Sequence, residues 1–117
     1  MGRLTTHVLD TAAGVPGAGM RIALYRAIAG EHRIVAEVIA GADGRSAGPL
    51  LEGVALTPGR YRLVFAAGEY FRARGVALAE PPFVEDVVID FGIADANAHY
   101  HVPLLVSPWS YATYRGS

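Results

Sequence analysis

Histidines interrupt a chain that otherwise alternates apolar and small polar residues, at positions 7, 32, 99 and 101. An imidazole titrates near neutral pH, so a His held on a rigid strand can take a proton from water there. His7 falls in the middle of an alternating stretch. His99 and His101 are two residues apart, which puts both on one face of a strand. His32 stands beside Glu31 in a polar turn and is expected at the surface. A polar site shared by two strands is one reading of the strand histidines. A zinc centre formed by His7, His99 and His101 is another. A structural histidine with satisfied hydrogen bonds is a third. No carboxylate or further partner stands at a diagnostic spacing, so no metal is assigned.

Arg45 follows an Asp43-Gly44 pair. Its planar donor fork suits an anionic or carbonyl-rich ligand in a way that a lysine does not. The plainer reading is a solvated turn arginine. The stretch Tyr111-Ala112-Thr113-Tyr114-Arg115-Gly116-Ser117 brings two Tyr, a Thr and an Arg close to the terminal carboxylate. Chain ends usually fray, whereas this one carries a strand pattern and could line a site or dock at an interface. Other chemistries lack their residues. There is no phosphate-cradling glycine loop, no Gly-x-Ser-x-Gly elbow and no carboxylate pair for glycoside chemistry. The absence of Cys removes thiolate nucleophiles, thiolate metal sites and disulfides together.

The elements that must position these groups are strands. At 117 residues and 12.4 kDa the chain is expected to form one domain, 1–117, able to bury a core without staples. Its 14 Gly and 7 Pro imply many turns. Period-2 alternation marks strands over 4–10, 20–26, 33–40 and 60–66, a short one at Leu50-Leu51, and longer ones over 83–93, 99–107 and 111–115. Turn chemistry fills 12–19, 41–45 and 57–59. A brief helix over 69–74, ended by Gly75, is the sole helical prediction. Eight short strands and one helical turn or two point to an all-β antiparallel sandwich.

Charge narrows the partners. Ten basic residues, all Arg, against eleven acidic ones leave a formal net charge of −1. That balance fits neither a nucleic-acid footprint nor a polybasic membrane surface. No run approaches the ~18 apolar residues of a membrane span. Met1-Gly2-Arg3 leads directly into a strand pattern with no apolar leader, so a cytoplasmic location is expected.

Several stretches together are specific. The opening Leu4-Thr5-Thr6-His7-Val8-Leu9-Asp10, the central Ala42-Asp43-Gly44-Arg45, His99-Tyr100-His101-Val102-Pro103-Leu104-Leu105 and the closing Tyr114-Arg115-Gly116-Ser117 resemble the 5-hydroxyisourate hydrolase family, the transthyretin-related enzymes of urate breakdown. The resemblance spans the chain in the family's order. It implies a transthyretin-like (prealbumin-like) sandwich of two four-stranded sheets with one short helix. It also implies a homotetramer, a dimer of dimers with active sites between the dimers. The implied reaction is hydrolysis of 5-hydroxyisourate without metal or organic cofactor. The implied catalytic residues are His7, Arg45, His101 and Ser117, with Tyr114, Arg45 and Ser117 against the substrate. Departures fall at Trp109, at Ser110-Tyr111-Ala112-Thr113 and over 77–82, none at an implied catalytic position. The alternative is a non-catalytic prealbumin-like binding or carrier module. It would require an apolar channel or a replaceable C-terminus.

Overall fold

The computed structural model describes residues 1–116. Among these residues nine strands and one α-helix follow in the order β1 (Arg3–Asp10), β2 (Val15–Pro16), β3 (Arg21–Ile28), β4 (Glu31–Ile39), β5 (Leu51–Glu52), β6 (Gly59–Phe65), α1 (Ala67–Ala73), β7 (Val87–Ile93), β8 (His99–Val106) and β9 (Tyr111–Thr113), with a single 3-10 turn over Gly53–Ala55. They build two sheets. One has the order β2-β1-β8-β9, with β5 also paired to β1, and the other runs β4-β3-β6-β7. The first sheet therefore carries five strands where four are expected, because a two-residue strand forms within the 12–19 turn in addition to the short strand expected around Leu50-Leu51.

Alternation explains the core. Leu4, Thr6, Val8 and Asp10 on β1 are buried, as are Tyr61, Leu63 and Phe65 on β6, while the residues between them are partly exposed. One hydrophobic cluster joins the facing sides of the two sheets, with Leu24, Phe65, Val87, Leu104 and Val106 fully buried in it. Two departures from the periodicity have physical causes. The strand expected over 83–93 begins only at Val87, and Phe83 is 82% exposed. Pro81 and Pro82 have no N–H to give a ladder. The following residues serve the helix instead: Gly68 N–H donates to the Glu85 carbonyl at 2.7 Å and Arg72 pairs with the Glu85 carboxylate at 2.9 Å. The helix itself starts two residues earlier than expected and buries Tyr70 and Phe71. Gly75 follows it at φ +79°, where a side chain would be strained.

The second departure is that β1 and β8 run parallel, whereas the other strand pairs are antiparallel. Parallel neighbours need a long crossover, and here most of the chain lies between them.

Asp10 closes β1 from inside and ties it to the helix. Its Oδ1 accepts from the Ala12 and Ala13 amides at 3.0 Å each, and its Oδ2 accepts from the Tyr70 hydroxyl at 2.8 Å. Burial, followed by that bond to the Asp10 carboxylate, pushes the Tyr70 hydroxyl up to about 12. Tyr70→Phe would leave a buried carboxylate oxygen short of a donor. We expect it to cost about 1–3 kcal/mol in chemical denaturation and to leave turnover unchanged, since the network faces away from the histidines.

Candidate active site

The same alternation that buries Leu4, Thr6 and Val8 turns Thr5 and His7 to the outer face of the first sheet. On β8 the outer positions are His99 and His101. Parallel pairing sets the register: Arg3 lies opposite His99, Thr5 opposite His101 and His7 opposite Pro103. Two segments far apart in sequence thus place three histidines on one surface.

The turn at 41–45 brings Arg45 to that surface. Gly44 O accepts from the Val8 amide at 2.9 Å, and Gly41 N–H donates to the Arg45 carbonyl at 2.7 Å. Asp43 Oδ1 accepts from the Arg45 amide at 2.9 Å, and a single antiparallel bridge links His7 to Arg45. Only glycine fits at 44. Its φ is +80°, and a Cβ there would stand 2.3 Å from Val8 O and 3.1 Å from His7 Cδ2. Among the described residues, no carboxylate lies within ion-pair distance of the Arg45 guanidinium.

The chain end returns to the same place. Gly116 N–H donates to the His101 carbonyl at 2.7 Å, and the two residues form a bridge. A Cβ at Gly116 would sit 2.9 Å from His101 Cδ2, so the backbone passes directly against the imidazole. Arg115 lies over the Tyr100 ring at 4.2 Å, a cation–π contact that holds the segment. Tyr114 is exposed and lines a concavity together with His99, His101, Arg115 and Gly116. A second concavity, lined in part by Arg3, Thr5, Arg45 and Ser46, shares His99 and His101 as its wall. Ser117 lies outside the described residues.

Hydrogen bonds assign the free nitrogens. His7 Nε2 is 2.8 Å from the Asp43 carbonyl oxygen. A carbonyl only accepts, so His7 carries its proton on Nε2 and leaves Nδ1 bare. His101 Nδ1 is 2.8 Å from Thr5 Oγ1, which leaves His101 Nε2 without a partner among the described residues, and Thr5 Oγ1 is also 3.1 Å from His99 Nε2. Burial first, then the Arg45 guanidinium and the charged forms of His7 and His99, lowers His101 below the usual imidazole value.

The structure brings His7, Arg45 and His101 together, with Tyr114 on the adjoining rim. Thr5, unmarked in the sequence, joins them. Its position two residues before His7 is the available signal, but a threonine in a strand is ordinary. His32 lies on the other sheet, in a hollow crossed by the exposed Arg62–Asp90 pair at 2.7 Å. Another hollow on that sheet is flanked by Arg21, already paired with Glu69 at 2.7 Å. Neither contains His7, Arg45 or His101. Among the described residues, no group of three or more His, Cys, Asp or Glu is placed to hold a metal ion.

Comparison with known proteins gives a consistent picture. The model of the HIUase/Transthyretin family matches residues 4–116. A 5-hydroxyisourate hydrolase of Ralstonia nicotianae is 58% identical over 117 residues, all of this chain and all of that protein. The structure of the 5-hydroxyisourate hydrolase of Klebsiella pneumoniae superposes with a TM-score of 0.82 at 32% identity, covering 100% of both chains. That of an (S)-allantoin synthase superposes with a TM-score of 0.94 at 46% identity, covering 99% of this chain and 44% of the other.

Proposed function

The chain belongs to the HIUase/Transthyretin family, and from that premise we propose that it hydrolyses 5-hydroxyisourate to 2-oxo-4-hydroxy-4-carboxy-5-ureidoimidazoline. Water adds to a carbonyl of the six-membered ring, the adjacent ring C–N bond breaks, and the departing nitrogen takes up a proton. One observation carries this reading: two imidazoles with assigned free nitrogens stand beside a guanidinium that no described carboxylate neutralises.

Each group has a part. His101 Nε2 takes the proton from water as the oxygen attacks, and later returns it to the ring nitrogen. His7 Nδ1, bare because Nε2–H is held by Asp43, accepts from the water's second hydrogen and orients it. Arg45 faces the oxyanion that develops on the attacked carbonyl and binds the substrate's other carbonyls. Tyr114 flanks the substrate from the concavity it lines with His99 and His101, and Ser117 fixes substrate or histidine orientation with its hydroxyl or terminal carboxylate. None of these steps calls on a metal or an organic cofactor.

The reading extends to a homotetramer, a dimer of dimers, acting in the cytoplasm. Among the described residues, β7 and β9 each end a sheet with one side unpaired, a surface that a second copy can extend. Trp109, in the turn before β9, and Tyr111, at the start of β9, are exposed at the β9 edge. Among the described residues, no helix is long and apolar enough to cross a membrane. If the site is completed between copies, specific activity falls when dilution dissociates the assembly. A fully active monomer would remove the tetramer from the account.

The pH dependence has a definite sign. His101 works as a base only when neutral, and its environment lowers its titration below 6.5. The acid limb of kcat/KM therefore lies below pH 6.5, with activity present above it and lost as pH falls through it. Arg45→Met removes one of the charges that depress His101 and moves the limb upward in what activity remains. A wild-type limb above pH 7 would exclude His101 as the base. Reaction in H2 18O tests the chemistry itself: hydrolysis places one heavy oxygen in the new carboxylate. Product without label would contradict water attack.

A further inference from the structure

Thr5 Oγ1 is approached by two imidazole nitrogens at once, His101 Nδ1 at 2.8 Å and His99 Nε2 at 3.1 Å. A hydroxyl has a single proton and two lone pairs. It can donate to only one of the two rings, so the other must bring an N–H. If Thr5 donates to His99, His101 carries its proton on Nδ1 and its Nε2 is a bare acceptor. If Thr5 donates to His101, His99 supplies Nε2–H and the His101 proton sits on Nε2. Either way both rings carry the proton on the same-named nitrogen. His101 Nε2 is a base in the first arrangement and an acid in the second, the two differing in the proton site of each ring as well as in the hydroxyl hydrogen.

On the footing of the hydrolytic reading, we propose that Thr5 relays protons between His101 and His99, so that the proton His101 draws from water comes to rest on His99. The step balances. Water's proton goes to His101 Nε2 as the oxygen–carbonyl bond forms; the His101 Nδ1 proton passes to Thr5 Oγ1; the Thr5 hydroxyl proton passes to His99 Nε2. The products are a neutral His101, an intact hydroxyl and a His99 imidazolium that matches the new oxyanion in charge. The reverse transfer returns the proton to the ring nitrogen when the C–N bond breaks. Thr5 and His99 act through His101 and are positioning residues.

The location of the charge gives the relay its purpose. His101 is covered by Gly116 and stands near Arg45 and His7, so a cation there is penalised by burial and by like charge. Passing the proton on lets a group that resists protonation still act as a base. His99 lies nearer the start of β8, partly exposed and on the wall of both concavities, where water can solvate the imidazolium. Thr5 is held at the required point by its register opposite His101, and its β-branched side chain restricts χ1.

Thr5→Val keeps the shape and removes the hydroxyl. We expect kcat on 5-hydroxyisourate to fall by about a hundredfold, the scale of one lost proton-transfer element, with KM little changed. Thr5→Ser restores most of kcat. His99→Ala loses comparably and regains activity as imidazole is added. Thr5→Val at wild-type kcat, Thr5→Ser as slow as Thr5→Val, or no response to imidazole would each overturn the relay. Nitrogen NMR of the 15N-His wild type is independent of turnover and of the folding of any variant. His99 and His101 should show matching tautomers, and opposite tautomers would overturn the coupling. An inert wild type would instead sink the hydrolytic reading, and the relay with it.

Discussion

Replacing His101 with Ala is expected to lower kcat on 5-hydroxyisourate by about 10²–10⁴-fold, the range of a general base removed from a hydrolytic site. The loss should far exceed any effect on folding. His101 faces outward from the sheet, and the core packs against its neighbours Tyr100 and Val102. Thermal unfolding of the variant should therefore stay close to that of the wild type while turnover collapses. His101→Gln keeps an amide that can bond Thr5, and it should fare no better, since an amide does not take a proton at neutral pH. Initial rates corrected for spontaneous decay provide the measurement. A variant within about tenfold of the wild type, less than general acid–base catalysis contributes, would move the base elsewhere, with His7 Nδ1 the next in place.

Arg45→Lys is the second large effect expected, and it is instructive because it preserves charge. A guanidinium presents two parallel N–H groups in a rigid plane, whereas an ammonium is a strongly hydrated point charge on a flexible stem. Loss of one donor aimed at a developing oxyanion costs about 10²–10³ in kcat, and the Arg45→Lys variant is expected to fall in that range. Backbone contacts of the 41–45 turn fix where Arg45 emerges, so Gly44→Ala probes the same requirement from behind. Its Cβ would meet Val8 O at 2.3 Å and push the turn away from β1. Both variants should lose kcat, but only Gly44→Ala should also lower the unfolding midpoint. Near-wild-type turnover in Arg45→Lys would remove the fork from the mechanism and leave only a general positive field.

The sequence makes some of this legible and leaves other parts hidden, for reasons that particular residues illustrate. Alternation over 4–10 places Thr5 and His7 outward and Leu4, Thr6 and Val8 inward, because a strand's side chains have a period of two and one face is buried. It also groups His99 with His101. That β1 lies parallel and adjacent to β8 is invisible to periodicity, which reports faces and never neighbours. The choice of His7, Arg45 and His101 among the polar residues comes from family resemblance, since their separate spacings also fit a structural histidine or a solvated arginine. Phe83 misleads because its spacing from Val87 suits a strand, while Pro81 and Pro82 and the helix contacts of Glu85 forbid one there. Gly44 reads as a turn residue, and Gly116 only as part of the closing Tyr-Arg-Gly-Ser. Their actual role is close approach, one to β1 and the other to the His101 ring. Thr5 carries no signal of its own, because its hydroxyl gains meaning only once two rings converge on it.

The most direct measurement is the ultraviolet decay of 5-hydroxyisourate, freshly generated by urate oxidase, in the presence and absence of the wild-type protein. The expected result is catalytic acceleration, proportional to protein concentration and lost with His101→Ala. Decay at the spontaneous rate in the presence of folded, assembled wild type would contradict the hydrolytic account.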